Sequence, residues 1–358
     1  MSIQAVASPR SAQIKISCRN LWKIYAQGSG AKAPDAGTDV AATVERLRAD
    51  GSVVAVADVS FDVGEGEVFV IMGLSGSGKS TTLRCIARLI EPTSGSILLD
   101  GVDLLKASRR ELVEIRRHRL GMVFQSFGLM PYLTVLENIA FPLKVQGIDE
   151  RRRYARAMEM IELVGLQGRE SAYPAQLSGG QQQRVGIARS LAVNPEVWLL
   201  DEPFSALDPL IRRQMQDEFL RLQRQLRKTI IFITHDILEA LRIADRIAIM
   251  RGGRIEQLGT PAEIVVSPQN AYVAGFTRDV PVSRVVRVSQ VMEEARPQRA
   301  NGRSVRAETI LADALPHFLE TQAPLPVVDH NGLVIGQVTS AAILRALAGR
   351  WDEAKPLQ

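Results

Sequence analysis

The chain has 358 residues, of which 46% are hydrophobic and 23% are charged, and its formal net charge at pH 7 is +5. This length predicts about two domains, and the composition excludes a disordered, collagen-like or repeat-biased chain. Two distant cysteines, Cys18 and Cys85, exclude a disulfide framework and a cysteine-based zinc site and favour a reducing cytoplasm. We expect no secretion signal and, because no run of about 20 apolar residues occurs, no membrane-spanning helix.

The first part of the chain predicts two strands separated by an insertion. Apolar residues alternate with polar ones from Ile14 and lead to an apolar cluster ending at Tyr25, which predicts a strand. Residues 26–52 break this pattern, and an amphipathic spacing after Asp39 predicts a short helix capped by that residue. A strand resumes at Val53.

From Val68 to Leu258 helices alternate with short apolar strands, which predicts an α/β domain with a largely parallel sheet. The stretch from about 111 to 192 is rich in helix and contains one convincing strand, Gly121–Phe124, so we expect a projecting helical subdomain. Residues 284–350 form a separate small unit, in which two apolar runs flank Asn331-Gly332 and predict a hairpin.

One glycine-rich segment carries the strongest chemical signal. It fits G-x-x-x-x-G-K-[ST] and lies between a strand ending at Met72 and a helix starting near Lys79. In such a loop, backbone N–H groups close around phosphate oxygens, Lys79 reaches the β/γ-phosphates and Ser80 binds Mg²⁺. A chance Gly/Ser turn would not require Lys followed by Ser at the helix start. The predicted nucleotide-binding residues here are Gly73, Ser75, Gly76, Ser77, Gly78, Lys79, Ser80 and Thr81.

An apolar strand from Val197 to Leu200 ends in two carboxylates, Asp201 and Glu202. Alone, an acidic strand end is often a solvated terminus. Beside a phosphate loop, Asp201 suits the Mg²⁺ ligand and Glu202 suits the base that polarises water.

A second Ser/Gly segment, from Leu177 to Gln181, precedes a helix predicted at Gln182–Val193 and offers another helix amino terminus able to hold an anion. With Gln125, Asp208 and His235, these motifs resemble the ATP-binding-cassette (ABC) ATPases over about residues 13–280.

The resemblance implies an ABC-type ATPase domain with a helical subdomain, acting on ATP and Mg²⁺ as a homodimer. It makes Ser178, Gly179, Gly180 and Gln181 the signature segment, which acts on the nucleotide bound by the opposite subunit.

Further roles follow from the resemblance. Gln125 would contact Mg²⁺ or water and sense a transmembrane partner, and Asp208 would communicate across the dimer. His235 would contact the γ-phosphate, although a lone histidine after a strand is more often structural. Tyr25 would stack on adenine, the alternative being a packed core aromatic.

Three features resemble the importer ATPases of the glycine betaine, proline betaine and choline group: the insertion, the segment Met122–Pro131, and the segment Phe204–Arg212. This implies an ATP-hydrolysing subunit that powers uptake of a quaternary amine osmoprotectant. Its partners would be integral-membrane permease subunits and, through them, a periplasmic or extracellular substrate-binding protein. It would lie at the cytoplasmic face of the inner (plasma) membrane. The alternative is a soluble, non-transport ABC ATPase in regulation, translation or DNA repair.

Two basic runs, at 108–119 and 151–153, are interleaved with glutamate on predicted helices and lack stacking aromatics. They indicate solvated helix faces, and we expect no nucleic-acid partner.

The carboxy-terminal unit resembles a cystathionine-β-synthase (CBS) repeat through Pro326–Asp329 and Gly336–Thr339. One repeat is present where a nucleotide cleft needs two, and Ala342 stands where an acidic residue would hold a ribose. A dimer contact is therefore expected rather than adenosine sensing. The expected bounds are a flexible terminus at 1–12, the ATPase domain at 13–280, an α+β CBS-like domain at 284–350 and a tail at 351–358.

Overall fold

The computed structural model of the chain describes residues 13–26, 39–126, 128–293, 303–321, 323–329 and 331–348. It divides into two compact units, Met1–Glu256 and Gln257–Gln358. The amino terminus expected at 1–12, the tail expected at 351–358 and residues 27–38 of the expected insertion lie outside the described residues.

The first ten strands of the described residues form two sheets, and the boundary between the units falls within the tenth. In chain order they are β1 (Ile14–Tyr25), β2 (Val53–Gly64), β3 (Val68–Met72), β4 (Ser94–Leu99), β5 (Val102–Asp103), β6 (Leu120–Val123), β7 (Val197–Asp201), β8 (Thr229–Thr234), β9 (Arg246–Arg251) and β10 (Arg254–Gly259). A 4-stranded antiparallel sheet has the order β2-β1-β4-β5, and a 6-stranded sheet has the order β10-β9-β3-β8-β7-β6. Neighbours from β9 to β6 are parallel, as the sequence predicts.

Eight helices accompany these strands among the described residues. They are α1 (Val40–Ala49), α2 (Lys79–Ile86), α3 (Arg109–His118), α4 (Val135–Val145), α5 (Glu150–Leu163), α6 (Gly179–Ala192), α7 (Pro209–Leu226) and α8 (Ile237–Ile243), with a 3-10 turn at Pro174–Gln176. In the stretch predicted to be helical, α4, α5 and α6 pack against one another. Among the described residues, no helix combines the length and the apolar character needed to span a membrane.

The start of α6 differs from the prediction. The helix begins at Gly179 rather than Gln182, because Ser178 caps it with a reciprocal pair of hydrogen bonds. The backbone N–H of Gln181 donates to Ser178 Oγ at 3.3 Å, and the backbone N–H of Ser178 donates to Gln181 Oε1 at 2.9 Å. Glycines at the first turn do not delay the helix when such a cap satisfies its free N–H groups.

The parallel sheet brings four loops to one edge. Every residue of β3, β7 and β8 is buried, which explains their continuous apolar runs. In the register of the sheet Met72 lies opposite Thr234, Asp201 opposite Ile233, and Val123 opposite Leu200. Because parallel strands end at the same edge, the segments after β3, β6, β7 and β8 meet there.

The predicted helix in the insertion is confirmed. Asp39 caps α1 by accepting the Ala41 N–H at 2.8 Å. On its inner face Val44 is buried in a cluster with Trp22, Ile24, Val54 and Ala57. The helix is therefore anchored on β1 and β2 by apolar packing.

The second unit contains a 3-stranded sheet in the order β11-β12-β13. Its described elements are α9 (Pro261–Val266), α10 (Ala271–Thr277), a 3-10 turn at Val282–Arg284, α11 (Val288–Val291), β11 (Val305–Arg306), α12 (Leu311–Thr321), β12 (Leu325–Val328), β13 (Val334–Val338) and α13 (Ser340–Leu347). The antiparallel pair β12/β13 confirms the hairpin, and Asp329 Oδ1 accepts the N–H groups of Asn331 and Leu333 at 2.9 Å. Ala342, at the position where the resemblance to a CBS repeat would expect an acidic residue, is buried. The expected domain bounds stay predictions.

A charge cluster joins the two sheets of the first unit. Lys15 Nζ lies 2.7 Å from Asp100 Oδ2 and 2.6 Å from Glu196 Oε2. Arg119 donates to both oxygens of Glu196, at 3.0 and 2.8 Å, and also pairs with Asp100. The hydrogen bonds from Arg119, with those from Lys15, lower the pKa of Glu196 to about 2.

This cluster predicts an acid-sensitive contribution to stability. Because the folded-state pKa of Glu196 is depressed, its contribution is complete above its ordinary pKa of 4.5 and is lost as the pH falls through about 2. Glu196→Gln should therefore lower the urea midpoint at pH 7, and the difference from wild type should shrink between pH 4.5 and pH 2. The exposed Glu162→Gln is the matched control. An equal difference at pH 7 and pH 3 would contradict the assignment.

Candidate active site

The segment after β3 forms a tight loop that leads into α2 at Lys79, as the motif predicts. Two of its glycines lie so close to other backbone atoms that no side chain fits there. A Cβ on Gly73 would lie 2.3 Å from Met250 O, and one on Gly78 would lie 2.2 Å from Ala55 O. Both also have positive φ, 152° and 101°. The backbone path of the loop thus depends on glycine at these positions.

The polar atoms of the loop fit a phosphate ligand. Among the described residues, the buried Ser77 Oγ has no hydrogen-bond partner. Lys79 is also buried, and its Nζ donates to Gly73 O at 2.9 Å and to Leu74 O at 3.0 Å. Burial lowers the pKa of Lys79. An orphaned hydroxyl and an ammonium held by two carbonyl groups of the loop are groups that anionic oxygens can bind.

Ser80 and Asp201 form the next part of the site. Ser80 Oγ donates to Asp201 Oδ1 at 2.6 Å, and Asp201 is fully buried at the end of β7. A hydroxyl and a carboxylate are ligands that Mg²⁺ accepts when phosphate and water complete its coordination. No cluster of three or more His, Cys, Asp or Glu suited to a metal occurs in the described part of the chain. These two side chains therefore suit a cation whose remaining ligands come from a bound nucleotide and water.

Arg84 also belongs to this group and is not among the residues predicted from sequence motifs. Its Nη2 lies 3.1 Å from Asp201 Oδ2. The signal available in the sequence is its position four residues after Ser80 in α2, which places both side chains on one helix face.

Glu202 is where the predicted catalytic residues converge. Its Oε2 lies 3.2 Å from His235 Nδ1 and 3.5 Å from Gln125 Nε2, and its Oε1 lies 3.7 Å from Lys79 Nζ. The backbone of Glu202 has φ of 46°, the left-handed region that non-glycine residues seldom adopt. The carboxylate is mostly buried, whereas the His235 side chain is half exposed. A carboxylate in this position can orient a water molecule next to a phosphate held by Lys79.

The other predicted residues lie apart from this cluster or at its margin. Ser75 and Gly76 are exposed at the loop tip, and Thr81 is half-buried in α2. Ser178 and Gln181 cap α6, with Gly179 and Gly180 in its first turn, and Asp208 caps α7 by accepting the Ile211 N–H at 3.1 Å. Tyr25 ends β1 with a partly exposed ring, whose centroid lies 4.7 Å from Lys23 Nζ.

Comparisons with known proteins agree with this geometry. Residues 56–205 match the family described as ABC transporter. The trimethylamine N-oxide transport system ATP-binding protein TmoW of Pelagibacter ubique is 50% identical over 335 residues, which cover 94% of this chain and 98% of that protein. The glycine betaine transport ATP-binding protein OpuAA of Bacillus subtilis is 50% identical over 286 residues, which cover 80% of this chain and 68% of that protein.

Among solved structures, a dimeric ATP-binding cassette, MJ0796, in a post-hydrolysis state bound to ADP and Pi, is similar to this chain with a TM-score of 0.58 and 34% sequence identity. The similarity covers 69% of this chain and 98% of that chain.

Proposed function

The chain belongs to the ABC transporter family as one of its ATP-binding proteins, and from this membership we propose that it hydrolyses ATP to power uptake of a small methylated amine. The observation that carries the proposal is the convergence of four loops at one sheet edge. There Ser80 contacts Asp201, Lys79 contacts Glu202, and Glu202 contacts His235.

The phosphate loop would bind the β- and γ-phosphates of ATP. Lys79 would exchange its two backbone carbonyl partners for phosphate oxygens, and Ser77 Oγ would gain the partner that it lacks. Mg²⁺, held by Ser80 and Asp201 with Gln125 nearby, would neutralise charge on the transferred phosphoryl group.

Hydrolysis would then depend on Glu202. Its carboxylate would accept a proton from the attacking water, since a base near this position is what phosphoryl transfer to water requires. His235, hydrogen-bonded to the same carboxylate, would contact the γ-phosphate and stabilise charge that develops on it.

The complete site would be formed by two chains. Ser178 to Gln181 form the capped amino terminus of α6, where the helix dipole favours an anion. We propose that they contact the nucleotide of the partner in a homodimer, with Asp208 at the dimer contact and Tyr25 stacked on adenine. The dimeric cassette to which the chain is similar supports this arrangement.

The remaining partners would be the permease subunits and, through them, a substrate-binding protein. A cavity of about 440 Å³ lies next to the segment that carries Gln125 and is lined by Phe124, Phe141, Val145 and Arg189 among others. An apolar cavity bordered by arginine suits a segment of the permease. The protein would then lie at the cytoplasmic face of the inner membrane.

The substrate class follows from the relatives. Trimethylamine N-oxide and glycine betaine both carry a trimethylated, positively charged nitrogen and an anionic oxygen. The match to the trimethylamine N-oxide protein extends over nearly the whole of both chains, whereas the match to the glycine betaine protein covers less of each. Trimethylamine N-oxide is therefore the first substrate to test.

The test is reconstitution of the full chain with its permease in liposomes, with the binding protein added. Trimethylamine N-oxide, glycine betaine and choline should be compared with proline, which lacks the trimethylated nitrogen. We expect ATP hydrolysis and uptake to rise with at least one methylated amine and not with proline. A chain that hydrolyses ATP but neither copurifies with the permease nor responds to any amine would favour a soluble, non-transport ATPase.

A further inference from the structure

Arg212, in the first turns of α7, reaches back to the turn that follows Glu202. Its Nε donates to Phe204 O at 3.3 Å, and its Nη2 donates to Leu207 O at 3.1 Å and to Ser205 O at 3.5 Å. A guanidinium presents five N–H groups in one rigid plane, so a single side chain can bind several carbonyl groups. Arg212 thereby holds the turn from Phe204 to Leu207 as one piece.

The same guanidinium faces a second loop. Its Nη1 lies 3.9 Å from Asp236 Oδ2. Asp236 caps α8, accepting the N–H groups of Leu238 and Glu239 at 2.9 and 3.2 Å, and it directly follows His235. Arg212 thus lies between the turn after Glu202 and the loop that carries His235.

The 204–207 turn is also hydrogen-bonded to the backbone of Glu202. Ser205 Oγ donates to Glu202 O at 3.0 Å, and the Glu202 N–H donates to Ile233 O at 3.1 Å. A left-handed non-glycine residue keeps that conformation only when its surroundings hold it there. Arg212, through Ser205, is part of what surrounds Glu202.

We propose that Arg212 is a positioning residue that sets the Glu202 carboxylate and His235 relative to each other. It does so by tying the 204–207 turn to the Asp236 loop. This inference rests on the proposed ATPase function and deepens it. Because a displacement of about 1 Å at a reacting group can lower a rate about 100-fold, the arginine should affect turnover more than ATP binding.

The experiment compares four full-length variants with wild type: Arg212→Met, Arg212→Lys, Ser205→Ala and the double variant Arg212→Met/Ser205→Ala. Each is assayed for kcat, for the ATP dissociation constant and for the thermal midpoint. We expect Arg212→Met to lower kcat at least 10-fold with less than a threefold change in the dissociation constant. The kcat of Arg212→Lys should lie between those of wild type and Arg212→Met, because lysine supplies the charge without the planar guanidinium.

The double variant tests the route through Ser205. If Arg212 acts through that residue, the fold-decrease in kcat of the double variant should be smaller than the product of the fold-decreases of the two single variants. The matched control is Arg224→Met, an exposed arginine on the same helix about 18 Å further along, which should keep kcat within twofold.

Near-normal kcat in Arg212→Met would overturn the inference, as would equal losses of kcat and ATP affinity accompanied by a lower thermal midpoint. Those outcomes leave the proposed function intact as long as the wild-type chain hydrolyses ATP. Absence of hydrolysis by the wild-type chain with its permease would instead remove the proposed function itself.

Discussion

Glu202→Gln is expected to lower kcat for ATP hydrolysis about 100-fold or more and to leave the ATP dissociation constant within about threefold of wild type. An amide has nearly the shape of the carboxylate but cannot accept a proton from water at neutral pH, so a general base is lost while the phosphate cradle remains. The contacts predict this separation, because Ser77, Ser80 and Asp201 do not depend on the Glu202 carboxylate.

Steady-state hydrolysis, equilibrium ATP binding and sedimentation with ATP would measure the effect. An ATP-bound dimer should accumulate in the variant, since ATP would still bind between the two chains while its hydrolysis is slowed. Glu65→Gln is a suitable control, because Glu65 is exposed before the amino end of β3, at the opposite edge of the sheet. Hydrolysis near the wild-type rate would exclude Glu202 as the base.

The part of the site that could be predicted from sequence is the part carried by local motifs. Backbone geometry requires glycine at positions 73 and 78, and the chemistry of phosphate requires the Lys79-Ser80 pair and the acidic end of β7. Each requirement is met within a short segment and can therefore be recognised as a motif. The parallel sheet followed from the alternation of helices and apolar strands. Since parallel strands end at one edge, the meeting of these segments could be predicted as well.

What could not be predicted depends on contacts between distant segments. No motif in the sequence shows that Arg84 pairs with Asp201, or that Arg212 faces Asp236 in another loop. The start of α6 differs from the prediction for another reason: glycine has a low helix propensity, but the Ser178–Gln181 cap outweighs it.

Ser178→Arg is the second change with a large expected effect. Arginine would place a bulky, charged side chain at the helix terminus proposed to contact the partner's nucleotide, and hydrolysis by the homodimer should fall at least about 10-fold. Loss of the helix cap alone would cost about 0.5 to 2 kcal/mol of stability. Ser178→Ala removes the same cap without adding bulk or charge, so its thermal midpoint and kcat measure the effect of losing the cap alone.

Mixing two inactive chains tests whether the site is shared. When a Lys79→Ala chain pairs with a Ser178→Arg chain, the phosphate loop of the second chain meets the intact Ser178 segment of the first, so one undamaged site forms in each heterodimer. If sites act independently, random mixing should restore up to about one quarter of wild-type hydrolysis, because half of the dimers contain one good site out of two. If Ser178 acted on the nucleotide of its own chain, every site would carry a defect and hydrolysis would not exceed that of the separate variants. Hydrolysis by the mixture at several chain ratios therefore decides between the two arrangements, with the largest recovery expected at equal amounts.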